Sequence, residues 1–169
     1  MTTTIYKYGA PVLRKQSIYV CQDDDIGKLS SDLFDTLRTY EGIGLAAPQV
    51  GISKRAFIID TTPLNDDQNS PFTGLFLNPE IISSNSELTQ YNEGCLSIPN
   101  IFEDVLRPET IAVRYYNSEF KLIEEELNGI KARIFQHEFD HLNGILFIDK
   151  INSLRRNLIR GKLKQIQND

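Results

Sequence analysis

The chain has 169 residues, 40% of them apolar, and a net charge of −5. That length suits one domain with its own core, because a chain of about 150 residues buries roughly two-thirds of its unfolded surface. The charge excludes a general nucleic-acid binder, and no run approaches the ~20 apolar residues of a membrane span. The average conceals an asymmetry. Between Lys150 and Asp169 there are six basic side chains and one acidic one, so an acidic body carries a basic tail. The opening stretch, MTTTIYKYGAPVLRKQ, has no apolar core and does not read as a signal peptide. Two cysteines, Cys21 and Cys95, are no disulfide framework, and a reducing cytoplasm is the expected setting.

Ile26 to Tyr40 places apolar residues at 26, 29, 33 and 37, a spacing that predicts an amphipathic helix. Asp23, Asp24 and Asp25 suit its N-terminus as caps and as charges facing the helix dipole, and Gly42 is expected to end it. Ala56 to Asp60 and Leu75 to Ser83 read as strands joined by the polar loop TTPLNDDQNSP. Ile111 to Tyr116 and Lys121 to Leu127 bracket Asn117 and Ser118 and predict a hairpin. Gly129 to Leu142 predicts a helix with Ile130, Ile134, His137, Glu138 and His141 on one side, stopped at Asn143–Gly144. Ser153 to Gln167 reads as a last helix, capped by Ser153. Strands before a late main helix predict a single α+β domain over residues 1–169, not a wound α/β sheet.

The stretch FQHEFDHLNG, 135–144, holds both histidines of the chain. Four residues apart on a helix, they share a face and can reach one metal, with Glu138 beside the first able to reach a water on it. The flanks Ile134, Phe135, Phe139 and Leu142 bury this helix. Unpaired buried polar groups cost about 1–3 kcal/mol each, so the polar residues here need a reason. A catalytic site takes three protein ligands plus water. Downstream the carboxylates are Asp140, Asp149 and Asp169, and neither Asp140 nor Asp149 suits the usual protease arrangements.

A better third ligand lies in EGCLSIP, 93–99. Cys95 follows a glycine and precedes a β-like run, which predicts a strand edge after a tight turn. A free cysteine is commonly a small buried hydrophobe. Beside a histidine pair lacking a partner, its sulfur completes a Cys-His-His set. The third stretch, GIGLAAPQV at 42–50, resembles a fragment of a phosphate loop, but no lysine–serine pair or third glycine follows at the right spacing. Alternatively, Gly42 and Gly44 let the backbone lie close to an extended substrate, and Gln49 offers a neutral donor to a developing oxyanion. A helix C-cap followed by a turn is the plainer account.

In this order GIGLAAPQ, EGCLS and QHEFDHLNG resemble the GxGxAAxQ, EGCLS and QHExxHLxG motifs of the peptide deformylase family, over roughly Tyr6 to Ile151. The resemblance implies antiparallel sheets around a central metal-binding helix, with an N-terminal and a C-terminal helix. It implies Cys95, His137 and His141 as metal ligands with water fourth, Glu138 as general base and proton donor, and Gln49 with the Leu96 N–H as oxyanion hole. Gly44 would touch the substrate through its backbone. The implied metal is Fe²⁺, one per chain, with Zn²⁺ or Ni²⁺ as substitutes; the ligand chemistry alone points to zinc. The implied reaction removes the formyl group from N-formylmethionyl peptides as formate, in the cytoplasm.

By position, a methionine pocket would use Ile43, Ile130, Ile134 and the face of His137. Arg133 is expected to point outward, and Tyr91 to alter the pocket rim. Glu93 and Arg107 match family positions and are expected to pair behind the Cys95 turn. Arg155, Arg156, Arg160, Lys162 and Lys164 read as a solvated helix face or, as in bacterial relatives, as phosphate contacts at the ribosome near the exit tunnel. A monomer without membrane or DNA partners is expected. Two other functions compete: an HExxH endopeptidase with a different third ligand, and a non-catalytic Cys-His-His metal module on the ribosome.

Overall fold

Helix α1 (Ile26–Thr39) begins where the Asp25 carboxylate accepts the N–H of Lys28 at 2.9 Å, filling a donor that the first turn leaves open. Its buried face carries Leu29, Leu33 and Leu37. The chain leaves the helix at Glu41, with φ at 54°, and not at the expected Gly42. Gly42 answers a different need. A Cβ there would lie 2.6 Å from Leu37 Cδ1 and 2.9 Å from Leu96 Cδ1.

The coordinates, a computed structural model, describe residues 2–64 and 71–168. The middle of the predicted polar loop, 65–70, lies outside the described residues. The described residues hold seven strands: β1 (Gly44–Ala46), β2 (Ala56–Asp60), β3 (Thr73–Ser84), β4 (Leu88–Cys95), β5 (Ile98–Pro108), β6 (Thr110–Tyr116) and β7 (Leu122–Asn128). Five form an antiparallel sheet in the order β1-β2-β3-β6-β7, and β4 pairs with β5 as a separate hairpin. The predicted β6–β7 hairpin is present, its turn held by Asn117 Oδ1, which accepts the N–H groups of Glu119 and Lys121. Strand β1 was not expected, and of β4 and β5 only the strand edge at Cys95 and the β-like run after it were.

Helix α2 (Gly129–Leu142) has the predicted bounds. Its Phe135 ring stands edge-on to Phe57 and Phe76, with centroids 5.0 and 5.2 Å away. These rings join Ile59, Val113 and Leu127 in a core between helix and sheet. Helix α1 packs with Leu45, Ile58 and Leu77 in a second core. A third cluster joins Ile98, Ile101 and Val105 of the hairpin to Phe147 and to Ile159 and Leu163 of α3 (Ser153–Asn168). The cap of α3 is Asn152, whose Oδ1 accepts the Arg155 N–H at 2.9 Å, and not Ser153. The α+β architecture therefore seats α2 centrally, between the large sheet and the small hairpin.

Candidate metal centre

The β4–β5 hairpin slips register between Glu93 and Cys95, then pairs Cys95 with Ile98 across Leu96 and Ser97. The tight turn thus follows Cys95 where the sequence reading put it before. The hairpin faces the polar side of α2. Cys95 Sγ lies 3.4 Å from His141 Nε2. His137 turns Nδ1 to Glu93 Oε2 at 3.0 Å, which leaves Nε2 for the sulfur side. One ligand atom from each of Cys95, His137 and His141 lies within 4.8 Å of the others.

This donor set fits a divalent cation. Tetrahedral bonds of about 2.3 Å to sulfur and 2.1 Å to nitrogen would place the donors about 3.6 Å apart, close to the arrangement present. Burial disfavours the His137 imidazolium, yet hydrogen bonds to Cys95 and Glu93 outweigh it and lift its pKa well above the ordinary value. Burial and the charge of His137 hold His141 well below its ordinary value. A neutral imidazole is the form that ligates.

Glu93 steadies this arrangement from behind. Its Oε1 accepts Arg107 Nε at 2.7 Å and Arg133 Nη1 at 2.9 Å. Its Oε2 accepts Arg107 Nη2 at 2.9 Å and the His137 ring nitrogen at 3.0 Å. Burial alone would raise the Glu93 carboxyl, but Arg107 and His137 outweigh it and hold it far below the carboxylate range. The expected Glu93–Arg107 pair is thus present, and Arg107 also donates to Asp140 at 2.6 Å. Arg133 overturns its expectation. It points inward, 5% exposed, and donates to Glu93, to Val105 O and to Thr89 O. An arginine in an apolar stretch reads as solvated unless its carboxylate is seen, and Glu93 lies 40 residues away.

Gly44 is a glycine because α2 comes close. A Cβ there would sit 2.5 Å from Glu138 Oε1 and 2.9 Å from Ile134 Cγ2. Glu138 is buried, its Oε2 has no hydrogen-bond partner among the described residues, and burial pushes its pKa up to about 7. Gln49 stands on a short 3₁₀ turn, Ala47–Val50. Its Oε1 accepts the Ala46 N–H at 2.8 Å, while Nε2 faces Ser97 Oγ at 3.2 Å and Cys95 Sγ at 3.5 Å.

These groups meet in a cleft of about 730 Å³. The predicted residues Ile43, Gly44, Gln49, Cys95, Leu96, Ile130, Ile134, His137 and Glu138 all line it. His141 does not; it closes the cluster from behind. Tyr91 and Arg133 line the cleft together, the guanidinium 5.8 Å from the ring centroid.

The family model for polypeptide deformylase matches residues 2–157. The chain belongs to the polypeptide deformylase family. A peptide deformylase of Cytophaga hutchinsonii is 42% identical over 171 residues, spanning 98% of this chain and 91% of that one. The peptide deformylase of Thermotoga sp. (strain RQ2) is 46% identical over 160 residues, spanning 94% and 93%. Among solved structures, the peptide deformylase from Thermus thermophilus matches with a TM-score of 0.90 at 36% identity, over 99% of each chain. The α+β arrangement is the deformylase fold, and the deformylase activity displaces the endopeptidase reading. Among the described residues no helix is long and apolar enough to cross a membrane.

Proposed function

We propose that the cleft receives the formylated N-terminus of a polypeptide and that Cys95, His137 and His141 hold the single cation the reaction needs. As a deformylase, the protein hydrolyses the formyl amide and releases formate. The observation that carries our assignment of roles is the placing of the Glu138 carboxyl and the Gln49 carboxamide around the sulfur–imidazole cluster in one cleft. When bound, a divalent cation supplies Lewis acidity that brings the pKa of a water toward about 7.

The chain's own residues do the rest. Glu138 takes a proton from the attacking water as the oxygen bonds to the formyl carbon. Gln49 Nε2 and the Leu96 N–H donate to the oxygen that gains charge. Glu138 then gives the proton to the amine as the C–N bond breaks, so its buried, raised carboxyl serves both directions of transfer. Ile43, Ile130 and Ile134 supply the apolar wall for the methionine side chain, and the Gly44 backbone borders the substrate.

Fe²⁺ is the proposed resident metal, with Zn²⁺ or Ni²⁺ as substitutes, since a sulfur with two imidazoles suits borderline-soft divalent ions. We read residues 1–169 as one domain, acting as a cytoplasmic monomer. Ribosome docking by α3 is proposed through Arg160, Lys162 and Lys164. Arg155 and Arg156 are engaged with Glu103 at 2.8 Å and Asp149 at 2.9 Å. Charge reversal at 160, 162 and 164 together should weaken sedimentation with ribosomes without changing peptide turnover; unchanged sedimentation would reject this docking.

The test of the chemistry is formate release from formyl-Met-Ala. Wild type should be active, and Glu138→Ala and Cys95→Ser inactive. Full turnover by Glu138→Ala would overturn the proton-transfer role.

A further inference from the structure

Ser97 belongs to a motif whose cysteine and leucine have roles above, yet the serine has none. It occupies the second position of the two-residue turn after Cys95 and is 0% exposed. Its Oγ faces Gln49 Nε2 at 3.2 Å, and its carbonyl accepts the Tyr8 N–H at 2.8 Å. Two residues before Tyr8, the N–H of Tyr6 donates to Gln49 O at 2.8 Å. One N-terminal segment therefore ties the backbone of the Gln49 turn to the backbone of the Ser97 turn, and their side chains meet between them.

The carboxamide of Gln49 has one acceptor end and one donor end. The Ala46 N–H, donating to Oε1, decides which end is which, because a flipped amide would set donor against donor. Nε2 carries two N–H groups. One goes to Ser97 Oγ; the other is donated to Cys95 Sγ, 3.5 Å away, on the side where the cleft opens and where it can pass to a substrate oxygen. Without the serine hydroxyl, the amide keeps its oxygen anchor and only the long contact to Cys95 Sγ, and can twist about its last torsion, a soft, broad one in glutamine. A donor that must meet a developing oxyanion works through prior alignment.

We propose that Ser97 is a positioning residue, whose hydroxyl aims the second N–H of Gln49 at the reacting oxygen. This rests on the oxyanion role of Gln49 given above. Ser97 touches neither substrate nor cation in this account and acts through Gln49 alone.

The experiment is a double-mutant cycle with Ser97→Ala and Gln49→Ala on formyl-Met-Ala. Ser97→Ala should lower kcat about tenfold, less than the roughly hundredfold to thousandfold loss of a whole oxyanion donor, with KM and metal content unchanged. In the Gln49→Ala background the same change should cost nothing, because the group it aims is gone. In zinc-loaded protein, the Gln49 side-chain NH₂ should lose hydrogen-exchange protection on Ser97→Ala, a readout independent of turnover. An equal loss of kcat in both backgrounds would overturn the proposal. So would a Ser97→Ala protein that unfolds or sheds its metal, since the serine would then be a structural element. If Gln49→Ala itself kept full activity, the oxyanion role would fail first, which separates the two ideas.

Discussion

Arg133 on α2 donates to Glu93 on β4 across 2.9 Å and thereby stitches the metal-binding helix to the hairpin that carries Cys95. Both side chains are buried, Arg133 at 5% and Glu93 at 5% exposure. Breaking a buried pair by removing one partner costs about 3–5 kcal/mol. Glu93 keeps Arg107, so Arg133→Ala should fall near the lower end. A urea titration that shows no loss of stability would refute the stitch. Arg133→Lys should not restore it, because an ammonium cannot reach Glu93, Val105 and Thr89 in one planar fork.

Arg107 presents a different case, since it supports the carboxylate that orients His137. Arg107→Ala should raise the Glu93 carboxyl and loosen the hydrogen bond to the His137 ring. Losing such support behind a ligand typically costs 10- to 100-fold in metal affinity, to order of magnitude. Metal content after dialysis against a weak chelator should fall with activity. Full metal retention would argue against this role.

Gly44→Ala should displace Glu138. The new Cβ would fall 2.5 Å from its Oε1, and the carboxyl must move. Misplacing a reacting group by about 1 Å can cost 10²-fold, so a loss of kcat of about a hundredfold is expected, with metal content intact. An alanine variant with wild-type kcat would show that the helix yields freely here.

Acid should destabilise the fold through Asp149. Burial raises this carboxyl, but hydrogen bonds from Arg14 and the Leu146 N–H outweigh it, and its folded pKa lies below the ordinary value. A depressed carboxylate contributes stability above the unfolded pKa, about 3.9, and that contribution is lost as pH falls through the folded value. Unfolding free energy should therefore drop as the pH falls from about 5 to about 3, and less steeply in Asp149→Asn. Equal slopes for the two proteins would remove Asp149 from the account.

How much of this was legible depended on where each residue's partner lies. Helix α2 and strand β2 were predicted to the residue. A helical period stopped by Asn143–Gly144 and an unbroken apolar run are local signals, and β2 is buried along its whole length. The β4–β5 hairpin escaped because its buried positions include Glu93, Glu103 and Arg107, charges that read as solvent-facing. Arg107 and Glu93 pair within the hairpin, but the further partners Arg133 of Glu93, Asp140 of Arg107 and Arg155 of Glu103 stand on helices far along the chain. Arg133 was misjudged for the same reason. The three ligands of the cluster were legible because two histidines on one helix face left a gap that a third residue had to fill. The support behind them was only partly so: Glu93 and Arg107 were paired by resemblance, Ser97 had only its place in the EGCLS motif, and Arg133 and Asp140 carried no signal of these contacts.

Glu103 is 4% exposed, and the guanidinium that reaches it comes from the first turn of α3. Cutting the chain before that helix would strand a carboxylate inside the protein and uncover Ile98, Ile101 and Val105 behind the sulfur ligand. Tail truncation is therefore an assault on the folded body before it is a probe of what the tail touches. A shortened chain that fails to associate with anything has first to be shown to be folded.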